Sequence, residues 1–145
     1  MIGLPLMPAH TYTCVSCSAS DSLRLSCAGD RAVLDRLRVT CVEDAPRSLG
    51  PYQVLTVRDL WTGFDSAQPD NRATLPQENM LTLTLSNGGT ATVRASGTEP
   101  KIKYYCEVGG APGQPRQEVE EEAAALREAV VVELLRLEEH GISRQ

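Results

Sequence analysis

The stretch MLTLTLSNGGTATVRASGTEPKIKYYCEV, residues 80 to 108, has the clearest structural pattern in the chain. Its first part alternates between apolar and smaller or polar residues, and a period of two indicates a β-strand with one buried face. Asn87-Gly88 is typical of a tight hairpin, because both residues tolerate the positive φ angles that such a turn requires. The segment therefore predicts three consecutive antiparallel strands: MLTLTLS, TATVRA and, after a turn at SGTEP, IKYYCEV. The apolar faces are Leu81, Leu83 and Leu85, and then Ile102, Tyr104, Cys106 and Val108.

Outward from this stretch, a fourth strand is predicted in YQVLTVRDLWTG, with Val54, Leu55 and Val57 as its β-forming residues. LRLSC, from Leu23, alternates like a short strand, and RAVLDRLR predicts a helix over about 30–39. The apolar residues between Glu118 and His140 recur every three or four positions and predict an amphipathic helix of about 20 residues. These elements predict an α+β fold: a two-layer domain with a four-stranded, mainly antiparallel sheet covered on one side by helices. We assign the domain to residues 22–145 and an irregular segment to residues 1–21.

Composition excludes several classes of function. With 145 residues, 41% of them hydrophobic, the chain fits one domain, and its net charge of −5 gives no general attraction to nucleic acid or to anionic membranes. No run of 18 apolar residues and no signal-peptide pattern is present, so we expect a cytoplasmic protein with no membrane partner. Five irregularly spaced cysteines indicate reduced thiols. Cys14 and Cys17 have zinc-ligand spacing but no matching second pair, so we expect no metal site, and Cys106 fits the core.

The turn between the last two strands has the groups that a phosphate monoester needs. Arg94 offers a bidentate cation, Ser96 and Thr98 offer hydroxyl donors, and Gly97 leaves its backbone open to close approach. Lys101 and Lys103 alternate to one side of the next strand and add charge at the rim. The same letters are also ordinary turn chemistry, and an arginine at a strand end is commonly a solvated surface residue. Local composition leaves both interpretations open.

Residues 94 to 101, RASGTEPK, match the R-x-S-G-T-E-P-K form of the phosphate-binding loop in the fourth, C-terminal domain of the α-D-phosphohexomutase superfamily. The flanking segments VRDLWTGFDSAQPDN and KIKYYCEV, with the acidic terminal helix, resemble its eukaryotic branch of phosphopentomutase and glucose 1,6-bisphosphate synthase. The resemblance covers about residues 22 to 140 and implies a fold like the TATA-box-binding protein. It also implies that Arg94, Ser96, Gly97 and Thr98, with Lys101 as a weaker candidate, bind a substrate phosphate.

The resemblance further implies a mechanism for a complete mutase. A phosphoserine donates its phosphoryl group to a sugar phosphate, the bisphosphate turns round, and Mg²⁺ assists the return transfer. The family's nucleophile, metal and sugar-selecting segments are not found in this sequence, so we expect no catalytic residue, no Mg²⁺ bound by this chain and no activity for the chain alone. A phosphorylated sugar and the remaining mutase domains are the expected partners. The alternatives are a fragment of a glucose 1,6-bisphosphate synthase and a non-catalytic phosphosugar-binding module. Trp61 stands where the relatives are expected to have threonine, which fits either a domain contact or a core position.

Overall fold

A computed structural model describes residues 16–25, 35, 36, 39, 47–95, 101–136, 139 and 142–144. Within these ranges, five strands have six or more residues and three are shorter, and every strand pair is antiparallel. The strands are β1 (Ser16–Leu25), β2 (Ser48–Leu49), β3 (Tyr52–Asp59), β4 (Phe64–Asp65), β5 (Met80–Leu85), β6 (Thr90–Ala95), β7 (Lys101–Gly109) and β8 (Ile142–Arg144). Their spatial order is β2-β3-β5-β6-β7-β1-β8, and β4 pairs with β3.

The predicted meander of β5, β6 and β7 is confirmed. Leu81 lies opposite Val93, which in turn lies opposite Tyr104, so the apolar sides of the three strands share one face. The β5–β6 turn differs from the prediction, because only Gly88 has a positive φ, of 78°. Gly88 N donates to Leu85 O and Leu85 N donates to Gly89 O, which is the pattern of a three-residue loop with a bulge at its glycine. Such a loop needs left-handed backbone at one residue, which the glycine supplies.

The C-terminal helix, α1, runs over Arg116–Ala129 and continues as a π-helical turn over Val130–Leu134. It begins directly after Pro115, whose fixed φ suits a helix start, and it ends before Arg136, which has a φ of 40°. The prediction extended this helix to His140, which lies outside the described residues. The buried side of α1 and the π-turn packs with the apolar sheet face into one core, to which the helical part contributes Val119, Ala123, Leu126, Ala129, Val130, Val131, Leu134 and Leu135.

Two sequence predictions need correction. The sheet has more than four strands, because β1 pairs with β7 along nine residue pairs and gives β7 a partner on its second edge. The irregular segment assigned to residues 1–21 is wrong for residues 16–21, which lie in β1. In its sequence, SCSASDSLRL, the apolar residues Cys17, Ala19, Leu23 and Leu25 alternate with serines and Arg24, a period of two that only Asp21 interrupts. The strand predicted from Val54, Leu55 and Val57 is present as β3, and a β-bulge between Val54 and Thr56 leaves Leu55 60% exposed and Val57 buried.

The α+β class is confirmed, whereas the two-layer arrangement and the likeness to the TATA-box-binding protein remain predictions. Of the helix expected over about 30–39, the structure describes Asp35, Arg36 and Val39, all three helical, and the other residues lie outside the described ranges.

Candidate functional site

Arg94 and Lys103 lie opposite each other near the end of β6 and the start of β7. They are direct cross-strand partners, and they lie on the polar face, defined here as the side of the sheet opposite the apolar core. The Arg94 side chain is exposed and that of Lys103 is half-buried. Lys101 lies two residues from Lys103 along β7 and therefore on the same face. Ser96, Gly97 and Thr98 lie outside the described residues, so their part in a phosphate site remains a prediction.

Like charges directly opposite each other on antiparallel strands lower the stability of a sheet. The Arg94–Lys103 pair is such an arrangement, and neither side chain forms an ion pair with another residue of the described ranges. The acid of the same face of β7, Glu107, lies four positions beyond Lys103, opposite Thr90, whose hydroxyl donates to the Glu107 carboxylate over 3.4 Å. The repulsion between Arg94 and Lys103 would therefore be relieved by an anion from outside this part of the chain.

The polar face next to this pair is lined with hydroxyl groups. The Thr82 and Thr92 hydroxyls lie 3.3 Å apart on neighbouring strands, and Thr92 faces Tyr105, which is 37% exposed. Arg58 lies opposite Thr82 in the same row, and its Nε is buried with no hydrogen-bond partner in the described structure. The place of Arg58 in this row was not predicted, because it follows from the β3–β5 register, which the local sequence pattern does not give.

Acidic residues are concentrated on the other side of the molecule. The outer surface of α1 exposes Glu118, Glu120, Glu121 and Glu128, whereas the end of the polar face presents Arg94, Lys101 and Lys103. Glu122 is more enclosed: it accepts hydrogen bonds from Tyr52 Oη at 3.3 Å and from Gln114 Nε2 at 2.7 Å. Burial, and next the neighbouring Glu122 carboxylate, raise the pKa of Tyr52. A protein of net charge −5 thus has three basic residues close together at this end of the polar face.

The buried polar side chains near Trp61 form turns. Asp59 is fully buried and accepts hydrogen bonds from the Trp61 backbone at 3.1 Å and from Thr62 Oγ1 at 2.8 Å. Asp65 accepts one from the backbone of Ala67 at 3.0 Å. Trp61 itself is half-buried. In the described residues, no group of three or more histidine, cysteine, aspartate or glutamate side chains is placed to hold a metal ion.

Cys106 lies in the core, as predicted, and is fully buried. Burial raises the pKa of its thiol to about 11, a shift that the positive charge of Arg127 partly opposes. A buried thiol that stays protonated at neutral pH is a poor nucleophile, so Cys106 is a packing residue.

The chain is similar to several phosphosugar mutases. It is 45% identical over 91 residues to human phosphopentomutase, covering 57% of this chain and 15% of that protein. It is 38% identical over 117 residues to human glucose 1,6-bisphosphate synthase, covering 77% of this chain and 19% of that protein. A probable phosphoribomutase of Schizosaccharomyces pombe is 36% identical over 118 residues, again covering 77% of this chain and 19% of that protein.

These relatives are enzymes named as phosphomutases or as a sugar bisphosphate synthase, and they support the relationship to the eukaryotic branch that the RASGTEPK segment indicated. No protein-family profile matches the chain. The chain spans less than a fifth of the length of these curated relatives. In the part of the chain that the structure describes, every helix is too short or too polar for a membrane span.

Proposed function

We propose that this chain is the substrate-phosphate-binding domain, the C-terminal one, of a phosphosugar mutase. The observation that carries the proposal is the opposed Arg94–Lys103 pair on the two strands that flank the RASGTEPK segment. The names of the relatives support it, because phosphopentomutase and phosphoribomutase act on phosphorylated sugars. The proposed reaction of the complete enzyme interconverts the 1-phosphate and 5-phosphate of ribose or deoxyribose in the cytoplasm, with glucose phosphates as further substrates.

Each residue of the segment has a role in this proposal. The Arg94 guanidinium binds two phosphate oxygens, the Ser96 and Thr98 hydroxyls donate to the others, and the backbone at Gly97 allows close approach. Lys101 adds positive charge. This site holds the phosphate that is not being transferred, and it thereby spends binding energy on orienting the sugar for reaction at its other end.

Mg²⁺ is the ion that the resemblance gives to the complete enzyme. The described residues of this chain do not fit it, because Asp59 and Asp65 accept hydrogen bonds from their own turns and no acidic cluster accompanies them. We therefore derive no catalytic step for this chain. The nucleophile and the metal loop belong, in this proposal, to other mutase domains.

Titration of the ¹⁵N-labelled chain with inorganic phosphate, followed by NMR, tests the proposal. Amide signals of Arg94 and of residues 96–99 and 101–103 are expected to shift, and Arg94→Ala is expected to weaken binding about tenfold or more, because it removes a bidentate charged contact. Arg116→Ala, an equal loss of charge on the outer surface of α1, serves as the control and is expected to leave binding unchanged. Equal binding by wild type and Arg94→Ala would refute the assignment.

A non-catalytic phosphosugar-binding module is the second candidate. It is favoured by the absence of any catalytic motif from the 145 residues, while the phosphate-binding segment is present. The chain alone is expected to show no conversion of ribose 1-phosphate under either proposal. The two differ in the effect of adding a full-length mutase that carries an inactivating change in its own phosphate loop: recovery of activity with this chain favours the mutase-domain role, and binding without recovery favours the module.

A further inference from the structure

Arg58, on the polar face of β3, has a charged group without a partner. Its Nε is buried and has no hydrogen-bond partner, and within the part of the chain that the structure describes the guanidinium forms no ion pair. The two terminal nitrogens also lack a partner there, but they are not buried, so a ligand can reach them. The enclosed Nε restricts the direction of the side chain, while the accessible N–H donors of the guanidinium remain without an acceptor.

Arg58 stands at one end of a row of hydroxyl groups that crosses the polar face. It lies opposite Thr82, and Thr82 lies opposite Thr92. Thr92 in turn lies opposite Tyr105, which is 37% exposed. The Thr82 and Thr92 hydroxyls are 3.3 Å apart, so one donates to the other and the second keeps its own hydrogen for a further acceptor. The row therefore offers donors and acceptors of the kind that match hydroxyl groups.

This row lies next to the proposed phosphate site. Arg94 follows Thr92 by two positions along β6, so both are on the polar face and about 6.7 Å apart. Strands lie about 4.8 Å apart, so the backbone of Arg58, two strands from β6 and one such step along it, is about 12 Å from that of Arg94. A ligand whose phosphate lies at Arg94 can extend over Thr92 and Thr82 and meet the long side chain of Arg58.

The surroundings of Arg58 favour a neutral polar group over a second anion. Asp65 lies directly opposite Arg58 in the β3–β4 register, but the two form no ion pair, and the Asp65 carboxylate accepts a hydrogen bond from the backbone of Ala67. A carboxylate one strand away reduces the attraction of Arg58 for an incoming anion. Sugar hydroxyls carry no charge and accept hydrogen bonds from a guanidinium, so they avoid this repulsion.

We propose that Arg58 is a sugar-binding residue: with the phosphate held at Arg94, the terminal nitrogens of Arg58 donate to hydroxyl oxygens of the attached sugar. This role rests on the proposed function and extends it from the phosphate to the group that bears the phosphate. The ligand class is a phosphate monoester of a polyhydroxylated sugar, such as ribose 5-phosphate.

The test compares ribose 5-phosphate with inorganic phosphate as ligands of the ¹⁵N-labelled full chain, in wild type, Arg58→Met and Arg116→Met. Wild type is expected to bind ribose 5-phosphate more tightly than inorganic phosphate. Arg58→Met is expected to weaken the binding of ribose 5-phosphate about five- to tenfold, because hydrogen bonds from a charged donor to the sugar are lost. Its binding of inorganic phosphate is expected to weaken less than about twofold, because a charge about 12 Å away contributes little in water. Arg116→Met removes an equal charge from the outer surface of α1 and is expected to bind both ligands like wild type.

A side-chain signal gives a second measurement that needs no variant. The Nε–H of Arg58 is shielded from solvent, so its signal is expected in the spectrum of wild type, where it can be assigned through the bonds of its own side chain. Ribose 5-phosphate is expected to shift this signal, and inorganic phosphate is expected to leave it in place.

The outcomes separate the role of Arg58 from the proposed function. Equal affinity of wild type for the two ligands, or equal losses for both in Arg58→Met, would overturn the role of Arg58 and leave the phosphate site intact. If wild type binds neither ligand, both proposals fail. Should Arg58→Met not fold, judged by loss of amide dispersion, the wild-type spectrum decides: an unmoved Arg58 Nε signal beside shifting Arg94 and Lys103 amides refutes sugar binding.

Discussion

Replacing Lys103 by methionine is expected to stabilise the protein in the absence of phosphate and to weaken its binding of phosphate. Methionine keeps an unbranched apolar side chain, so the change removes the charge while preserving most of the packing. Lys103 lies directly opposite Arg94. Two unit charges about 7 Å apart in a water-like dielectric repel by about 0.6 kcal/mol, within the range of cross-strand pair energies. For a chain of this size, that corresponds to a rise in Tm of about 1 to 2 °C.

The assay is thermal unfolding in a phosphate-free buffer at low and at high NaCl. The Debye length falls from about 30 Å at 0.01 M to about 3 Å at 1 M salt, so the gain is expected at low salt and nearly absent at high salt. Adding phosphate is expected to raise the Tm of wild type more than that of Lys103→Met, because binding stabilises the folded state according to affinity. Arg116→Met is the control. Arg116 forms an exposed ion pair with Glu120 at 2.8 Å, which stabilises little, and its positive charge at the start of a helix is slightly unfavourable. Because these two small effects oppose each other, no gain in Tm is expected. A lower Tm for Lys103→Met at low salt, or a gain that high salt leaves intact, would contradict the reasoning.

Three further predictions concern the scaffold. Gly89→Ala places a Cβ 2.8 Å from the Glu107 backbone oxygen, so we expect the free energy of unfolding, measured with urea, to fall by about 1 to 3 kcal/mol. Gly109→Ala is the control, because a Cβ there meets nothing within 4 Å, and its free energy of unfolding is expected to stay within about 0.5 kcal/mol of wild type. Leu126→Ala, in the fully buried side of α1, is expected to cost about 3 to 5 kcal/mol in the same assay, and a loss under 1 kcal/mol would show that α1 does not pack as described. Burial raises the pKa of Cys106 to about 11, so the protonated thiol stabilises the folded state, fully below pH 9 and progressively less between pH 9 and about 11. The free energy of unfolding of wild type is therefore expected to fall more steeply with pH over this range than that of Cys106→Ala. Parallel curves of unfolding free energy against pH would exclude the effect.

The central part of the fold could be predicted from sequence because its signals are local. Strands β5, β6 and β7 are neighbours in the chain and each has an apolar residue at every second position, so their existence and order follow from pattern alone. The terminal helix has the matching period of three and four. The hairpin between β5 and β6 was predicted as well, but its geometry was not, because Asn-Gly fits more than one loop and the glycine alone has the left-handed conformation here.

The elements that the sequence did not reveal depend on distant partners. The alternation of strand β1 is weak, because small residues and Asp21 stand among its apolar positions, and its pairing joins residues such as Ser16 and Gly109, more than ninety positions apart in the chain. The bulge in β3 likewise arises where its register with β5 shifts, which moved Leu55 to the exposed side. For the candidate site, local sequence predicted a role for Arg94 and Lys101, but the direct opposition of Arg94 and Lys103 cannot be read from a linear motif.

The distribution of charge bears on which anions the proposed phosphate site would select. Arg94, Lys101 and Lys103 occupy one end of one sheet face, while the exposed glutamates of α1 lie on the other side and the whole chain has a net charge of −5. At physiological salt, charges more than about 8 Å apart are largely screened, so a small anion at the basic end is attracted by the local cations and hardly affected by the helix. A long polyanion would extend beyond that distance into the acidic surroundings and would be repelled there. The same cations in a uniformly basic protein would attract nucleic acid as well as phosphate, so we expect the acidic remainder of the molecule to favour a compact anion at the proposed site.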